Sequence, residues 1–83
     1  MDIGLYREYL TKYVKEAIAN SDGSNPGIAE YLSNIRVSGV FVRHKDEKKR
    51  ALAEARKAFE EHRHWPQEIV ISYLGIDREE LDT

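Results

Sequence analysis

Hydrophobic spacing predicts two long amphipathic helices in this chain. Between residues 2 and 20, apolar side chains recur every three or four positions from Ile3 to Ala17 and share one side at about 100° per residue. Residues 45–64 repeat this spacing with a thinner, alanine-rich apolar side and predict a helix about 30 Å long. Most of the surface of the helix over residues 45–64 is then exposed to solvent, with acidic and basic residues four positions apart.

A shorter helix is predicted between these two. Residues 20–24 are a cluster of turn formers, and Asn25-Pro26 then resembles an N-cap followed by proline at the first helical position. The apolar residues that follow keep helical spacing over two to three turns: Ile28, Tyr31, Leu32 and Ile35.

Two segments have the composition of strands. Residues 37–43 are rich in β-branched and aromatic side chains, with Gly39 a candidate bulge. Residues 67–75 are strand-like by composition, yet Pro66 before them and Gly75 at their end also suit a helix. We favour a strand for this segment and leave the helix open. A capped C-terminal turn follows over residues 76–81, where Asp77 and Glu80 have the spacing of a capping box.

These elements predict a single α+β domain, mostly helical, over residues 1–83. The element order is α-α-β-α-(β) with the capped turn at the C-terminus, and the alternative is an all-α fold. A long helix between two strands would make them parallel, and a two-stranded sheet is marginal in water. Either a second subunit supplies more strands, or one of the two segments is not a strand. Both cases leave apolar surface exposed, and that surface predicts a homodimer.

Composition excludes several classes of protein. Hydrophobic residues at 41% and charged residues at 34% suit a folded, soluble domain of 83 residues. The absence of cysteine excludes a disulfide scaffold, a thiolate metal site and a cysteine nucleophile. No apolar run is long enough to span a bilayer, and the first residues lack the features of a signal peptide. We therefore expect a cytoplasmic protein with no membrane contact.

Charged residues are distributed unevenly along the chain, although the net charge is only −2. Residues 36–64 carry nine basic and five acidic residues, whereas residues 65–83 carry one basic and five acidic. This pattern indicates either ends that neutralise each other or a basic face for an anionic partner. On the second interpretation, a nucleic-acid-binding regulator would use Arg43, Lys45, Lys49, Arg56 and Arg63. The pI near 5.9 weighs against that alternative.

Aromatic residues suggest a protein interface. Tyr6, Tyr9 and Tyr13 lie along one margin of the first helix, and tyrosine gives a large contact area at low entropic cost. Each ring could equally form the rim of the core. We predict a small, non-catalytic regulatory protein that binds another protein through this margin, with Trp65 as an anchor.

No motif of a catalytic or metal site is visible. His62 and His64 diverge on a helix, and no partner residue has metal-ligand spacing. Glycine-rich phosphate loops and nucleophile motifs are also missing from the sequence. We therefore predict that the protein is not an enzyme and uses no cofactor or metal.

Overall fold

Five helices form the structure. The computed structural model describes residues 1–82, and its helices are α1 (Ile3–Asn20), α2 (Asn25–Ser33), α3 (Lys45–Glu61), α4 (Gln67–Tyr73) and α5 (Arg78–Asp82). No strand occurs among these described residues. The predicted α+β fold is therefore wrong, and the all-α alternative fits.

Helix α3 is the centre of the packing. Both α1 and α2 pack against it, α4 contacts α3 and α5, and α5 also contacts α1. Ala51, Ala55 and Ala58 are buried along α3, so the neighbouring helices approach its backbone closely. Phe59 fills the space beside them and is fully buried. The alanine-rich side predicted from the sequence is thus the buried side of α3, against which the neighbouring helices pack.

Side chains at the helix starts satisfy the free backbone N–H groups. The Asp2 carboxylate accepts from the backbone N–H of Leu5 at 3.1 Å and begins α1. Ser24 begins α2, because its hydroxyl accepts from the N–H of Gly27 at 3.0 Å. The predicted N-cap, Asn25, is instead the first helical residue, and its side-chain amide does not cap α2.

The predicted strand over residues 37–43 is a loop. Gly39 has a φ of 105°, outside the extended region, and Lys45 Nζ donates to its carbonyl at 3.2 Å. No second segment among residues 1–82 offers a ladder of backbone hydrogen bonds, so β-forming composition has nothing to pair with. Val40 and Phe41 are left 89% and 95% exposed at the tip of this loop.

The second predicted strand is helix α4. Pro66 precedes its first residue, and Gly75 follows it with a φ of 77°. The N–H of Gly75 donates to the carbonyl of Ser72 and the N–H of Ile76 to that of Ile71, which is a Schellman ending. The helix start signal at Pro66 and the helix stop signal at Gly75 therefore decide the secondary structure, in spite of the β-branched residues between them.

Two helix ends differ in detail from the prediction. Helix α3 stops at Glu61, and residues 62–65 form a turn, not the last helical turn expected to end at residue 64. At α5, the Asp77 carboxylate accepts from the N–H of Glu79 as a cap. The Glu80 carboxylate, predicted to complete a capping box, accepts from the Thr11 hydroxyl at 3.1 Å and so ties α5 to α1.

Within residues 1–82, no helix combines the length and the apolar character needed to cross a bilayer.

Candidate protein-interaction surface

The three tyrosines of α1 lie against α3. Tyr13 is buried in the core, and Tyr6 and Tyr9 are half-buried at its edge. The rings of Tyr9 and Tyr13 stack with centroids 6.2 Å apart. This margin of α1 therefore has a packing role inside the chain, and the prediction that it also contacts a partner stays a prediction.

Basic side chains of α3 cover the tyrosine margin. Lys48 Nζ lies 5.3 Å from the centroid of the Tyr9 ring, and Arg50 Cζ lies 6.0 Å from that of Tyr6. Burial raises the pKa of the Tyr6 and Tyr13 hydroxyls above their usual value. Tyr6 and Tyr9 are therefore partly exposed, with a cation against each ring.

Trp65 belongs to an exposed cluster of rings at the other end of α3. Its indole stacks on the imidazole of His62 with centroids 3.7 Å apart, and Tyr73 meets both rings edge-on, at 4.9 Å from His62 and 5.8 Å from Trp65. Trp65 is 39% and Tyr73 61% exposed. Ile69, one turn before Tyr73 on α4, is also exposed. We call His62, Trp65, Ile69 and Tyr73 the aromatic patch.

A buried amide holds the turn that carries Trp65. Asn25, which is 6% exposed, directs its side-chain Nδ2 at three main-chain carbonyls: that of Trp65 at 2.8 Å, that of Arg63 at 3.3 Å and that of His62 at 3.4 Å. These carbonyls follow the last turn of α3, where helical partners run out. The first residue of α2 thus fixes the C-terminal end of α3 and the position of the patch.

A second tie joins the same regions. The Gln67 amide at the start of α4 donates to the carbonyl of Gly23 at 2.8 Å, just before α2. Pro66, between Trp65 and Gln67, has φ fixed by its ring. The turn that carries Trp65 is therefore tied to the start of α2 on both sides of Trp65.

Two of the five cations predicted for nucleic acid line one groove. Lys49 and Arg56 line a groove beside α2, together with Arg36. Arg63 lines a different groove, shared with Glu60. Lys45 is engaged by the Gly39 carbonyl, and Arg43 is exposed in the loop before α3. The structure brings two of the five together and adds Arg36.

The sequence prediction missed Asn25, Ile69 and Tyr73 as parts of a surface. A signal for the last two was available, because Ile69 and Tyr73 are four residues apart and both follow Trp65. No local pattern could have shown the role of Asn25, since its acceptors lie 37–40 positions away. Among residues 1–82, no three acidic or histidine side chains are grouped so that they could hold a metal ion.

Comparison with protein-family models, with curated proteins and with solved structures gives no match. The geometry of the chain itself therefore carries the functional argument.

Proposed function

We propose that this chain is a non-catalytic protein-binding module and that the aromatic patch is its docking site. The observation that carries the proposal is the group of three rings, His62, Trp65 and Tyr73, held together at the surface. Trp and Tyr dominate the binding energy of protein interfaces because they bury a large area with few rotatable bonds.

Preorganisation supports this role. Binding costs about 0.5–1.5 kcal/mol for each side chain that must be immobilised. Trp65 and His62 are already stacked, and Asn25 fixes the turn between them, so a partner would meet rings in a set position. An unheld surface tryptophan would lose more freedom on binding.

The proposal keeps part of the interface predicted from the sequence. Trp65 becomes the central contact, whereas Tyr6, Tyr9 and Tyr13 serve first to pack α1 on α3. A homodimer, a cytoplasmic location and a regulatory role remain predictions within the proposal. A self-complementary patch used twice would make a symmetric dimer.

A photo-crosslinking experiment tests the docking site. Benzoylphenylalanine replaces Tyr73 in the full chain, and the protein is irradiated in the cells that naturally make it. We expect a discrete adduct that disappears when Trp65→Ala is added, because loss of a central tryptophan costs about 2 kcal/mol or more of binding energy, roughly thirtyfold in affinity.

The matched control places the same crosslinker at Lys57, which is exposed on α3 away from the patch. An adduct with twice the mass of the chain indicates a second copy, and another discrete mass indicates a different protein. The proposal is wrong if Tyr73 gives no adduct, gives the same products as Lys57, or gives an adduct that Trp65→Ala leaves unchanged.

Nucleic-acid binding stays the second candidate. The observation that favours it is the pair of cations Lys49 and Arg56 on one groove, seven residues apart on α3. Binding of short duplex DNA tests this candidate, and Lys49→Glu with Arg56→Glu should weaken that binding.

A further inference from the structure

A groove lies between the end of α2 and the basic edge of α3. Its volume is about 270 Å³. After α2 ends at Ser33, the chain continues beside α3 and places Ile35 and Val37 against the core. Lys49 and Arg56 stand on the facing edge of α3. Arg36 lies on the opposite wall, where its guanidinium Nη1 donates to the carbonyl of Ser33 at 2.6 Å and its remaining N–H groups are left for a ligand.

The charge of this groove is one-sided. Arg36, Lys49 and Arg56 line it, and no carboxylate is among its lining residues. Within residues 1–82, no acidic oxygen lies within 4 Å of the charged nitrogens of Lys49 or Arg56. Glu60, one turn after Arg56, lines the neighbouring groove with Arg63. In a chain of net charge −2, the groove therefore carries local positive charge, which favours a negatively charged ligand.

The floor of the groove is apolar. Leu32 and Leu52 are almost fully buried beneath it, and Ile35 and Val37 are half-buried at its wall. A ligand that fits has an aliphatic group for the floor as well as anions for the rim. No aromatic side chain lines the groove, so it offers no platform on which a nucleic-acid base could stack.

We propose that this groove binds an acidic amphipathic peptide segment of a partner protein. Two or three carboxylates of the segment contact Arg36, Lys49 and Arg56, and one aliphatic side chain between them enters the groove. The volume suits one or two side chains of a peptide.

The site is independent of the aromatic patch, because the two share no residue. The groove proposal therefore stands or fails apart from the proposed docking at Trp65.

Selection from a displayed library of random peptides tests the proposal directly. The full chain is the bait, and we expect enriched sequences with at least two acidic residues around one Leu, Ile or Val. Enrichment of peptides without acidic residues, or no enrichment, overturns the proposal. The strongest enriched peptide is then labelled and its affinity measured by fluorescence anisotropy across a salt series.

Charge reversal locates the peptide. Lys49→Glu with Arg56→Glu should weaken binding at least about tenfold, and binding to the unmodified chain should weaken as salt rises. The control, Lys12→Glu with Lys57→Glu, makes the same change in net charge at exposed positions outside the groove. Equal loss in both double variants would show that only net charge matters and would refute the site.

A neutral substitution tests separately whether the ligand enters the groove. Ala53 is exposed and lines the groove, so Ala53→Leu narrows it without touching the core or any charge. We expect about fivefold weaker peptide binding, the equivalent of losing about 1 kcal/mol of apolar contact. Unchanged affinity would show that the ligand does not enter the groove. Short duplex DNA that binds as tightly as the peptide and responds to Lys49 and Arg56 in the same way would replace the peptide proposal with the nucleic-acid candidate.

Discussion

The contact between Asn25 and the end of α3 gives the sharpest stability prediction. Removing the amide with Asn25→Ala leaves the carbonyls of His62, Arg63 and Trp65 without this donor. The NH₂ group has two hydrogens, so it makes two full hydrogen bonds at most, shared among three acceptors. The shortest, to Trp65 at 2.8 Å, is the strongest of them.

The expected loss follows from this count. A buried polar group that loses its partner costs about 1–3 kcal/mol. Two such losses, partly offset by water reaching the turn, predict that Asn25→Ala lowers the free energy of unfolding by about 2–4 kcal/mol. For a domain of this size, that is a decrease of roughly 10–20 °C in Tm.

Urea denaturation followed by circular dichroism measures this change. Trp65 is the only tryptophan, so its fluorescence reports on the turn itself in the same experiment. Asn34→Ala is the matched control, because Asn34 is exposed, ends α2 and caps it with its backbone N–H. We expect the control to stay within about 0.5 kcal/mol of the unmodified chain.

Asn25→Asp separates hydrogen bonding from shape. The introduced carboxylate has nearly the same size, but when ionised it accepts only and faces three carbonyl oxygens. We expect it to destabilise the fold at neutral pH at least as much as Asn25→Ala, and to recover part of the loss as acid protonates it. If the free energy of unfolding of Asn25→Ala stays within about 0.5 kcal/mol of that of the unmodified chain, the hydrogen bonds of the Asn25 amide do not stabilise the fold.

Three further predictions test other parts of the fold. Gly75→Ala should cost about 1–2 kcal/mol by thermal melting, because Gly75 has a φ of 77° and an added Cβ would lie 3.2 Å from the Arg7 guanidinium; an unchanged Tm would contradict this. Phe41→Ser should change the free energy of unfolding by less than about 0.5 kcal/mol, since Phe41 is 95% exposed; a larger loss in urea would show that the loop packs on the core. Hydrogen bonds from Ser24 to Asp22 and from the Asp2 N–H to Glu47 lower the pKa of both carboxyls. Their stabilisation is present above the unfolded-state pKa. It is lost as pH falls through the lower folded-state values, below about 4.5 for Glu47 and below about 3.8 for Asp22. Glu47→Gln should flatten the acid limb of a stability–pH profile, and an unaltered limb would exclude this contribution.

Sequence patterns predicted helix bounds well where the signals for the helix lie within or next to it. Helix α1 begins beside Asp2 and ends at Asn20, within a residue of the prediction, because its cap and its apolar spacing are local. Helix α4 was harder, since its β-branched residues favoured a strand while Pro66 and Gly75 favoured a helix. The turn signals decided the outcome because no partner strand exists among residues 1–82.

The candidate surface was predictable only in part, for a physical reason. Trp65 could be singled out from the sequence, but its value as a docking site depends on what holds it in place. That support comes from Asn25, 40 positions earlier, through a hydrogen bond that no periodicity encodes. The same holds for the tyrosines, whose spacing on α1 was plain and whose exposure depended on α3 lying over them. A residue's position along a helix follows from local spacing, whereas its exposure depends on the element that packs against it. The groove beside Lys49 illustrates the same point. Its cations were visible in the sequence, whereas the apolar floor that Leu32 of α2 and Leu52 of α3 form together was not.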